Sequence, residues 1–322
     1  MPQPPPPTAF ISGASSGIGR AIAEKLLAEN HRVWGTSRDP ARLASLAQKH
    51  PTTFTPVALD LDNPDTAQAA YKHAAAEAST ATGASARQRP IVSSEATGST
   101  NRESKIENSF DLVINNAGYG LFSPYATADF AIWQRQLDAM LITTARLAHT
   151  ALRGMIARNH GTLVNVSSLA VNFPLPYMSA YNIAKAGLSA LNESLIFETR
   201  GTNITIIDFR PGDYRTAFND IMRPGATANA ATQDSGLGTQ DSALQPFSPS
   251  ALSSVWRTLD TQFNTAPRPD RAARDLYRAI QRGRSGTVTS GRFFQARLAP
   301  LAARLLPATL MRSLQARYFG AK

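Results

Sequence analysis

The chain of 322 residues alternates short apolar segments with helical patterns in which apolar residues recur three and four positions apart. After a first helix that begins near Ile18, the helical patterns cover 64–78, 130–158 and 178–199. Seven apolar segments of strand length accompany them, the last one weak; they are 8–12, 32–36, 54–59, 110–115, 162–167, 204–209 and 286–289. Near-continuous apolar strands that alternate with helices predict an α/β fold, a doubly wound parallel sheet of the Rossmann type.

Two low-complexity stretches rich in Ser, Thr, Ala and Gly interrupt this alternation, at 79–109 and at 224–250. Loops of this length in a compact domain are usually functional or disordered. The first lies where a short connection would suffice, so we expect a disordered insertion. The second follows the sixth strand at its carboxyl end, where doubly wound sheets bind their ligands. We therefore predict a substrate lid over 218–267.

The pattern predicts a single domain over 8–290, after a proline-rich tail at 1–7 that we expect to be disordered. The sequence has no cysteine, and its five histidines are scattered, so we expect neither disulfides nor a metal site. No uncharged apolar run approaches the roughly 18–20 residues that a spanning helix needs. The proline-rich start lacks the features of a signal peptide, and we expect a soluble protein of the cytoplasm.

The net charge of +10 belongs to the C-terminal end of the chain. Residues 268–322 contain twelve Lys/Arg and two Asp/Glu, which leaves the remainder neutral, so we expect no binding to nucleic acid. In the C-terminal segment (291–322), arginines interleave with apolar residues, and we expect Pro300 and Pro307 to divide it into short helices. Two alternatives stay open: its apolar face covers the substrate cleft or a subunit interface, which we favour, or it makes a peripheral contact with an anionic membrane.

A glycine-rich turn follows the first strand and precedes the first helix. It lacks the G-x-G-x-x-G spacing of the usual dinucleotide fingerprint, but it has the strand and helix that such a turn requires. Glycines let the backbone approach a pyrophosphate, and the helix N-terminus adds N–H groups and a positive dipole. This pattern favours nucleotide binding over a merely flexible loop; the residues concerned are Gly13, Ser15, Ser16, Gly17, Ile18 and Gly19.

The end of the second strand indicates which dinucleotide is bound. An NAD site commonly has an acidic residue there that binds the ribose 2′-hydroxyl. This chain has Ser37 and Arg38 instead, and a guanidinium suits a 2′-phosphate. Asp39 is a rival acidic candidate, but its place before Pro40 predicts a helix cap. The sequence therefore favours NADP over NAD.

A tyrosine and a lysine four residues apart, Tyr181 and Lys185, are predicted to share one face of a helix. We expect the ammonium to lower the pKa of the phenol, which would suit Tyr181 to act as a general acid. Ser168, which closes the fifth strand, could polarise a substrate carbonyl beside it. The alternatives are an ordinary surface pair and a serine that caps a strand end.

Together these positions resemble the short-chain dehydrogenase/reductase family, and the resemblance extends from Thr8 to about Thr216. It includes an aspartate after the third strand, a small-residue segment that closes the fourth strand, and a Pro-Gly segment after the sixth. These further residues are Asp60, Leu61, Asn116, Ala117, Gly118, Pro211, Gly212 and Thr216.

The resemblance implies an oxidoreductase that transfers a hydride between NADP(H) and a small-molecule carbonyl or secondary alcohol. Tyr181 would be the acid/base, Lys185 would hold the nicotinamide ribose, and Ser168 would position the carbonyl. Asp60 would contact the adenine and Thr216 the carboxamide of the nicotinamide. Family members are usually dimers or tetramers, so the resemblance also implies a homo-oligomer.

One position departs from the family, which usually has an asparagine where this chain has Met140. That asparagine holds a water in a proton relay to the lysine, and a thioether cannot donate a hydrogen bond. We expect a relay rearranged through Thr143 or Thr144, or slow turnover. Two alternative functions remain: an NADP-binding sensor with little turnover, and a membrane-surface reductase of a lipid, sterol or retinoid-like substrate.

Overall fold

The computed structural model describes residues 5–81, 110–222 and 249–319. The greater part of both predicted insertions, 82–109 and 223–248, and residues 1–4 of the predicted tail lie outside the described residues. The carbonyl of Pro7 accepts a hydrogen bond from the N–H of Arg32 at 2.9 Å, so the end of the predicted tail adjoins the second strand.

The described residues form a sheet of seven parallel strands in the order β3-β2-β1-β4-β5-β6-β7. β1 lies between β2 and β4, with Phe10 opposite Trp34 on one side and Val113 on the other. The direction of winding reverses there, so the predicted doubly wound Rossmann-type sheet is confirmed. The strands are β1 (Thr8–Ser12), β2 (Arg32–Ser37), β3 (Phe54–Ala58), β4 (Leu112–Asn115), β5 (Gly161–Val166), β6 (Ile204–Pro211) and β7 (Gly286–Ser290).

Helices cover both faces of this sheet and the carboxyl ends of its strands. They are α1 (Gly17–Ala28), α2 (Ala44–Lys49), α3 (Pro64–Ala81), α4 (Phe130–Leu137), α5 (Thr144–Arg158), α6 (Ser179–Glu198), α7 (Phe218–Ile221), α8 (Pro249–Asn264), α9 (Pro269–Arg282), α10 (Ala299–Leu305) and α11 (Ala308–Tyr318). No described helix is both long enough and apolar enough to cross a bilayer.

The long helix predicted over 130–158 forms, with a π turn inside it. α4 passes through Asp138–Thr143 into α5 without leaving helical backbone angles. A π turn contains one residue more than an α turn, which rotates the side chains that follow it and often marks a functional region. Met140 belongs to this turn and is buried.

In the C-terminal segment, Pro300 does not divide the helix as we expected. A π turn at Phe294–Leu298 continues directly into α10, and Pro300 occupies the first turn of that α-helix. A proline is tolerated there because its missing N–H has no α-helical acceptor at that position. Pro307 does separate two helices, since Leu306 before it has extended backbone angles.

The sequence patterns did not predict α8 or α9. α9 packs against α1 through a stripe that includes Ala272, Ala273, Leu276 and Ala279, all buried in one core on one face of the sheet. A second core on the other face contains residues of α3 and α5. A third, smaller cluster lies at the carboxyl ends of the strands, where side chains of α8 meet the last described residue, Phe319.

Candidate active site

A single cleft of about 890 Å³ lies at the carboxyl end of the sheet. Every residue predicted from the sequence to take part in catalysis or cofactor binding lines it, although these residues come from widely separated parts of the chain. They are Gly13, Ser15, Ser16, Gly17, Ile18, Gly19, Ser37, Arg38, Asp60, Leu61, Asn116, Ala117, Gly118, Ser168, Tyr181, Lys185, Pro211, Gly212 and Thr216.

The glycine-rich turn at one end of the cleft has no room for side chains. Gly13 has a φ of +74°, and a Cβ on it would lie 2.8 Å from the Cα of Ala117. A Cβ on Gly19 would lie 2.0 Å from the carbonyl oxygen of Gly13. Thr216 lies against Gly17 across the turn. The bare backbone at the start of α1 is the cradle that a pyrophosphate requires.

Polar side chains of neighbouring strands hold this turn in place. The hydroxyl of Ser12 accepts hydrogen bonds from the backbone N–H groups of Asn116 and Ala117 at 2.9 and 3.0 Å. The amide of Asn116 in turn donates to the carbonyl oxygens of Ser12 and Gly13, both at 3.1 Å. Our sequence analysis did not single out Ser12, although it lies where β1 ends, at the point at which the winding reverses.

Two guanidinium groups lie beyond the end of β2. Ser37 is buried, whereas Arg38 is exposed and lines the cleft together with Arg42, which the sequence analysis missed. Arg42 stands four residues after Arg38, a spacing that could have indicated it. Asp39 is the predicted cap, since its Oδ1 accepts a hydrogen bond from the N–H of Ala41 at 3.0 Å.

The loop after β3 provides the wall beside these arginines. Asp60 accepts a hydrogen bond from the N–H of Asp62 at 3.1 Å, so the two carboxylates lie close together. Burial, and then the charge of Asp60, raise the pKa of Asp62. The hydroxyl of Tyr119 donates to Asp62 at 3.3 Å. Asp62 and Tyr119 line the cleft and were not predicted to do so.

Ser168, Tyr181 and Lys185 meet in the middle of the cleft. Ser168 lies close enough to Tyr181 to lower the pKa of its phenol. Lys185, one turn further along α6, places its ammonium 5.9 Å from the centre of the Tyr181 ring. That ammonium is buried and donates to the carbonyl of Val166 at 2.7 Å.

The pKa of Tyr181 does not move in the direction that we expected. Burial raises the pKa of Tyr181 to about 12. Ser168 opposes this rise, and the charge of Asp213 adds to it. The expected lowering by Lys185 is wrong for this structure, because removing the phenolate from water outweighs an ammonium that is directed at Val166. Burial also lowers the pKa of Lys185 to about 8, against the opposing effect of Asp208.

A buried network of polar side chains supports the cleft from behind, with Asp208 at its centre. Asp208 accepts hydrogen bonds from the hydroxyls of Ser167 and Ser189 and from Nε of Arg210. The Arg210 contact is an ion pair of 2.7 Å. Because Asp208 is completely buried and paired, its charge helps to keep Lys185 protonated. An aspartate in the middle of an apolar strand could have indicated this network.

The other end of the cleft is apolar with one polar point. Its walls come from the third cluster, including Met178, Met222 and Phe263. The polar point is Asp213, which accepts a hydrogen bond from Nε2 of Gln295 at 2.6 Å. Burial raises the pKa of Asp213, and the buried Oε1 of Gln295 has no partner among the described residues.

Met140 lies where the sequence comparison with the family placed it, at the base of the cleft. A Cβ built on Gly118 would be 3.1 Å from its methyl group and 3.8 Å from the ammonium of Lys185. Neither Thr143 nor Thr144 lines the cleft. Thr144 donates to the carbonyl of Ala139, and the buried hydroxyl of Thr143 has no partner among the described residues.

The sheet, its point of reversed winding and the bare glycine turn define a dinucleotide-binding protein of the Rossmann type. The family model for short chain dehydrogenases matches residues 7–81 and 98–226. The chain therefore belongs to the short-chain dehydrogenase family of oxidoreductases.

Relatives and solved structures agree with this assignment. A probable NADP-dependent dehydrogenase from Haemophilus influenzae is 28% identical over 226 residues, which are 70% of this chain and 78% of that protein. A short-chain dehydrogenase/reductase from Burkholderia phymatum in complex with NAD has a TM-score of 0.70 and 20% identity, over 98% of this chain and 97% of that one. The closed form of serine dehydrogenase complexed with NADP⁺ has a TM-score of 0.62 and 20% identity, over 88% and 94% of the two chains. At these identities the two structures support the fold alone.

Proposed function

We propose that this protein is an NADP(H)-dependent oxidoreductase that interconverts a carbonyl compound, a ketone or an aldehyde, and the corresponding alcohol. The proposal rests on one observation: Ser168, Tyr181 and Lys185 line the same cleft as the bare glycine turn. When bound, NADP(H) supplies or accepts the hydride.

The residues around the cleft fit this cofactor. The turn at 13–19 would hold the pyrophosphate, since Gly13 and Gly19 leave its backbone bare at the N-terminus of α1, where N–H groups face an anion. Ser37 and Arg38, with Arg42 beside them, would bind the 2′-phosphate, which accepts charge-assisted hydrogen bonds. Asp60 and Leu61 would contact the adenine; the nicotinamide half would lie against Asn116, Ala117, Gly118, Lys185, Pro211, Gly212 and Thr216. The name of the Haemophilus influenzae relative supports NADP.

In the reductive direction, Tyr181 would donate its phenolic proton to the carbonyl oxygen, and Ser168 would donate a hydrogen bond to the same oxygen. A pKa of about 12 keeps the phenol protonated at neutral pH, which is the form that a general acid requires. Lys185 would bind the hydroxyls of the nicotinamide ribose and return a proton to Tyr181.

The shape and polarity of the cleft favour a fairly apolar ketone or aldehyde. Met178, Met222 and Phe263 can contact the hydrocarbon part of a substrate. Burial of apolar substrate surface is favourable by about 25 cal/mol per Å² of free energy. Asp213 and Gln295 offer one place for a hydroxyl or amino group of the substrate. By the family resemblance we also propose a homo-oligomer, a dimer or a tetramer.

Met140 favours a second candidate, a sensor that binds NADP and scarcely turns over. Its thioether, beside Lys185, cannot donate the hydrogen bond of a proton relay. The complete set of Ser168, Tyr181 and Lys185 argues against this candidate.

The proposal is tested by following NADPH oxidation over a panel of ketones and aldehydes, with NADH assayed in parallel. We expect turnover by the wild type and a loss of at least a hundredfold in Tyr181→Phe, because the proton donor is removed. Tyr277→Phe is the matched control, since its hydroxyl donates a hydrogen bond to Glu29, which follows the end of α1 and does not line the cleft. Tight NADPH binding without turnover on any substrate would support the sensor instead.

A further inference from the structure

Several leucines of the C-terminal segment point away from the body of the protein. Leu298, Leu301 and Leu305 are 46%, 54% and 73% exposed. The small side chains of Ala296 and Ala299, in contrast, are directed towards the body and are buried or partly buried. An amphipathic helix that simply packs on a core has the opposite arrangement.

Three of the exposed leucines are grouped by their spacing, and a fourth lies on the next helix. Leu298, Leu301 and Leu305 follow one another at intervals of three and four residues, which puts them on one side of α10. Leu310, at the start of α11, is 44% exposed. None of these four, hereafter the outer leucines, lines the cleft, so a bound substrate would not cover them. Exposed apolar side chains grouped in this way mark an interaction site.

The positive charge of the C-terminal segment indicates what kind of surface the outer leucines contact. From position 276 to the end of the chain there are nine Lys/Arg and no Asp/Glu. Arg297, Arg312 and Arg317 are exposed, and none of them pairs with a carboxylate of the described residues. A symmetric contact with a second copy would bring the same positive surface against itself. The charge therefore favours a negatively charged surface over self-association.

We infer that the outer leucines and these arginines dock the protein on an anionic lipid bilayer. Leucine side chains enter the boundary between headgroups and acyl chains, while arginines reach the lipid phosphates. Basic side chains near such a surface contribute about 1 kcal/mol each, which is enough to retain a segment of this kind. The contact is peripheral, because no described helix could cross the bilayer.

The docked surface adjoins the mouth of the cleft. The same two helices also contribute Ala302, Met311 and Gln315 to the lining of the cleft. A molecule dissolved in the bilayer would thus reach Tyr181 along apolar walls. Resting on the proposed function, this arrangement identifies the substrate class as membrane-dissolved carbonyl compounds with a long apolar body.

Docking is tested by co-sedimentation of the full-length protein with vesicles of equal parts phosphatidylcholine and phosphatidylglycerol. We expect binding that weakens with added salt and that is absent with phosphatidylcholine alone. Replacing Arg297, Arg312 and Arg317 together by Gln is expected to weaken binding about a hundredfold, the effect of removing three surface charges. The triple variant Leu298→Ser, Leu301→Ser, Leu305→Ser is expected to weaken it at least tenfold.

The matched controls are Ile156→Ser and Phe197→Ser, which change single exposed apolar side chains of α5 and α6 and should leave binding unchanged. The proposal is overturned if anionic vesicles do not sediment the wild type, or if neither triple variant changes binding. A third outcome would also overturn the proposal: the wild type does not bind vesicles but self-associates in light scattering, and the leucine variant does not self-associate. That outcome would assign the surface to contact with a second copy of the chain.

Substrate entry is tested by NADPH oxidation with a long-chain ketone in anionic vesicles and with a short water-soluble ketone. The leucine variant should lose at least tenfold in kcat/KM for the long-chain ketone and keep its activity on the short one. Equal losses on both ketones would overturn entry from the bilayer. If the wild type reduces neither ketone while vesicle binding persists, the proposed reductase function fails and the docking surface stands.

Discussion

At the scale of single residues, burial controls the chemistry of the cleft more strongly than neighbouring charges do. Tyr181 and Lys185 lie side by side on α6, yet the pKa of the phenol rises to about 12 and that of the ammonium falls to about 8. Both shifts favour the neutral forms, as desolvation requires. The paired Asp208 opposes this effect at Lys185, and Ser168 opposes it at Tyr181.

The lowered pKa of Lys185 predicts a dependence of stability on pH. Between pH 8 and 10.5 the unfolded lysine holds its proton while the folded one releases it, so the unfolded state binds more protons and stability rises with pH. Urea unfolding of the wild type and Lys185→Met should therefore diverge across this window. We expect the wild type to gain up to about 3 kcal/mol relative to the variant. Parallel curves for the two proteins would contradict the shift.

Met140→Asn is expected to raise kcat several-fold and to leave the Kd for NADPH unchanged. The asparagine would supply beside Lys185 the hydrogen-bonding group that the thioether lacks. Steady-state kinetics with NADPH as the varied substrate would measure both quantities. Met140→Leu is the control, because it preserves volume without adding a hydrogen bond. Equal kcat values for the Asn and Leu variants would show that the proton relay does not depend on this position.

At the scale of elements, the turn between β1 and α1 is the most constrained part of the cleft. Ser12 and Asn116 fasten it to β4, and Gly19 packs directly on the carbonyl of Gly13. The strands β1 and β4 on either side of it are buried, so these contacts restrict the turn. The turn is therefore preorganised to bind a pyrophosphate.

Gly19→Ala is expected to weaken NADPH binding at least tenfold, because its Cβ would lie 2.0 Å from the carbonyl oxygen of Gly13. Fluorescence titration with NADPH would measure the change. Gly283→Ala is the control: Gly283 ends α9 with a φ of +58° and nothing lies within 4 Å of its Cβ position. The control should lose about 1 kcal/mol of stability and no affinity. Equal affinities for the two variants would contradict the role of the turn.

In the molecule as a whole, α9 connects the edge of the sheet with its centre, because it precedes the edge strand β7 and packs against α1, the helix after β1. It also follows α8, and α1 carries the glycine turn. The positive charge begins within this helix and continues to the end of the chain. The basic residues of the C-terminal part of the chain therefore lie partly on α9, which packs on the body of the protein, and partly on the C-terminal segment.

Leu276→Ala is expected to lower the free energy of unfolding by about 2–5 kcal/mol, because Leu276 is fully buried between α9 and α1. Leu298→Ala is the matched control, since its exposed side chain should change stability by no more than about 0.5 kcal/mol. Urea unfolding would compare the two. A small loss in Leu276→Ala would mean that α9 contributes little to the body of the protein.

Most of the architecture could be predicted from the sequence, since the strand and helix periods are local properties of the chain. The strand β1, the cap at Asp39 and the long helix over 130–158 have the predicted bounds or nearly so. The residues of the cleft could be predicted as well, because their order follows that of a family. Arg42, Asp62 and the amphipathic α9 were missed although the sequence contains them.

The remaining features depend on groups that are distant in the sequence and meet only in the folded protein. Asp213 and Gln295 are 82 residues apart, and only the packing of the C-terminal segment on the cleft makes them a pair. The pKa of Tyr181 depends on how completely its surroundings exclude water, which no spacing of residues expresses. The composition of the C-terminal segment shows that it is basic and apolar. Only the fold shows that the outer leucines point outwards, because Ala296 and Ala299 occupy the side that meets the body.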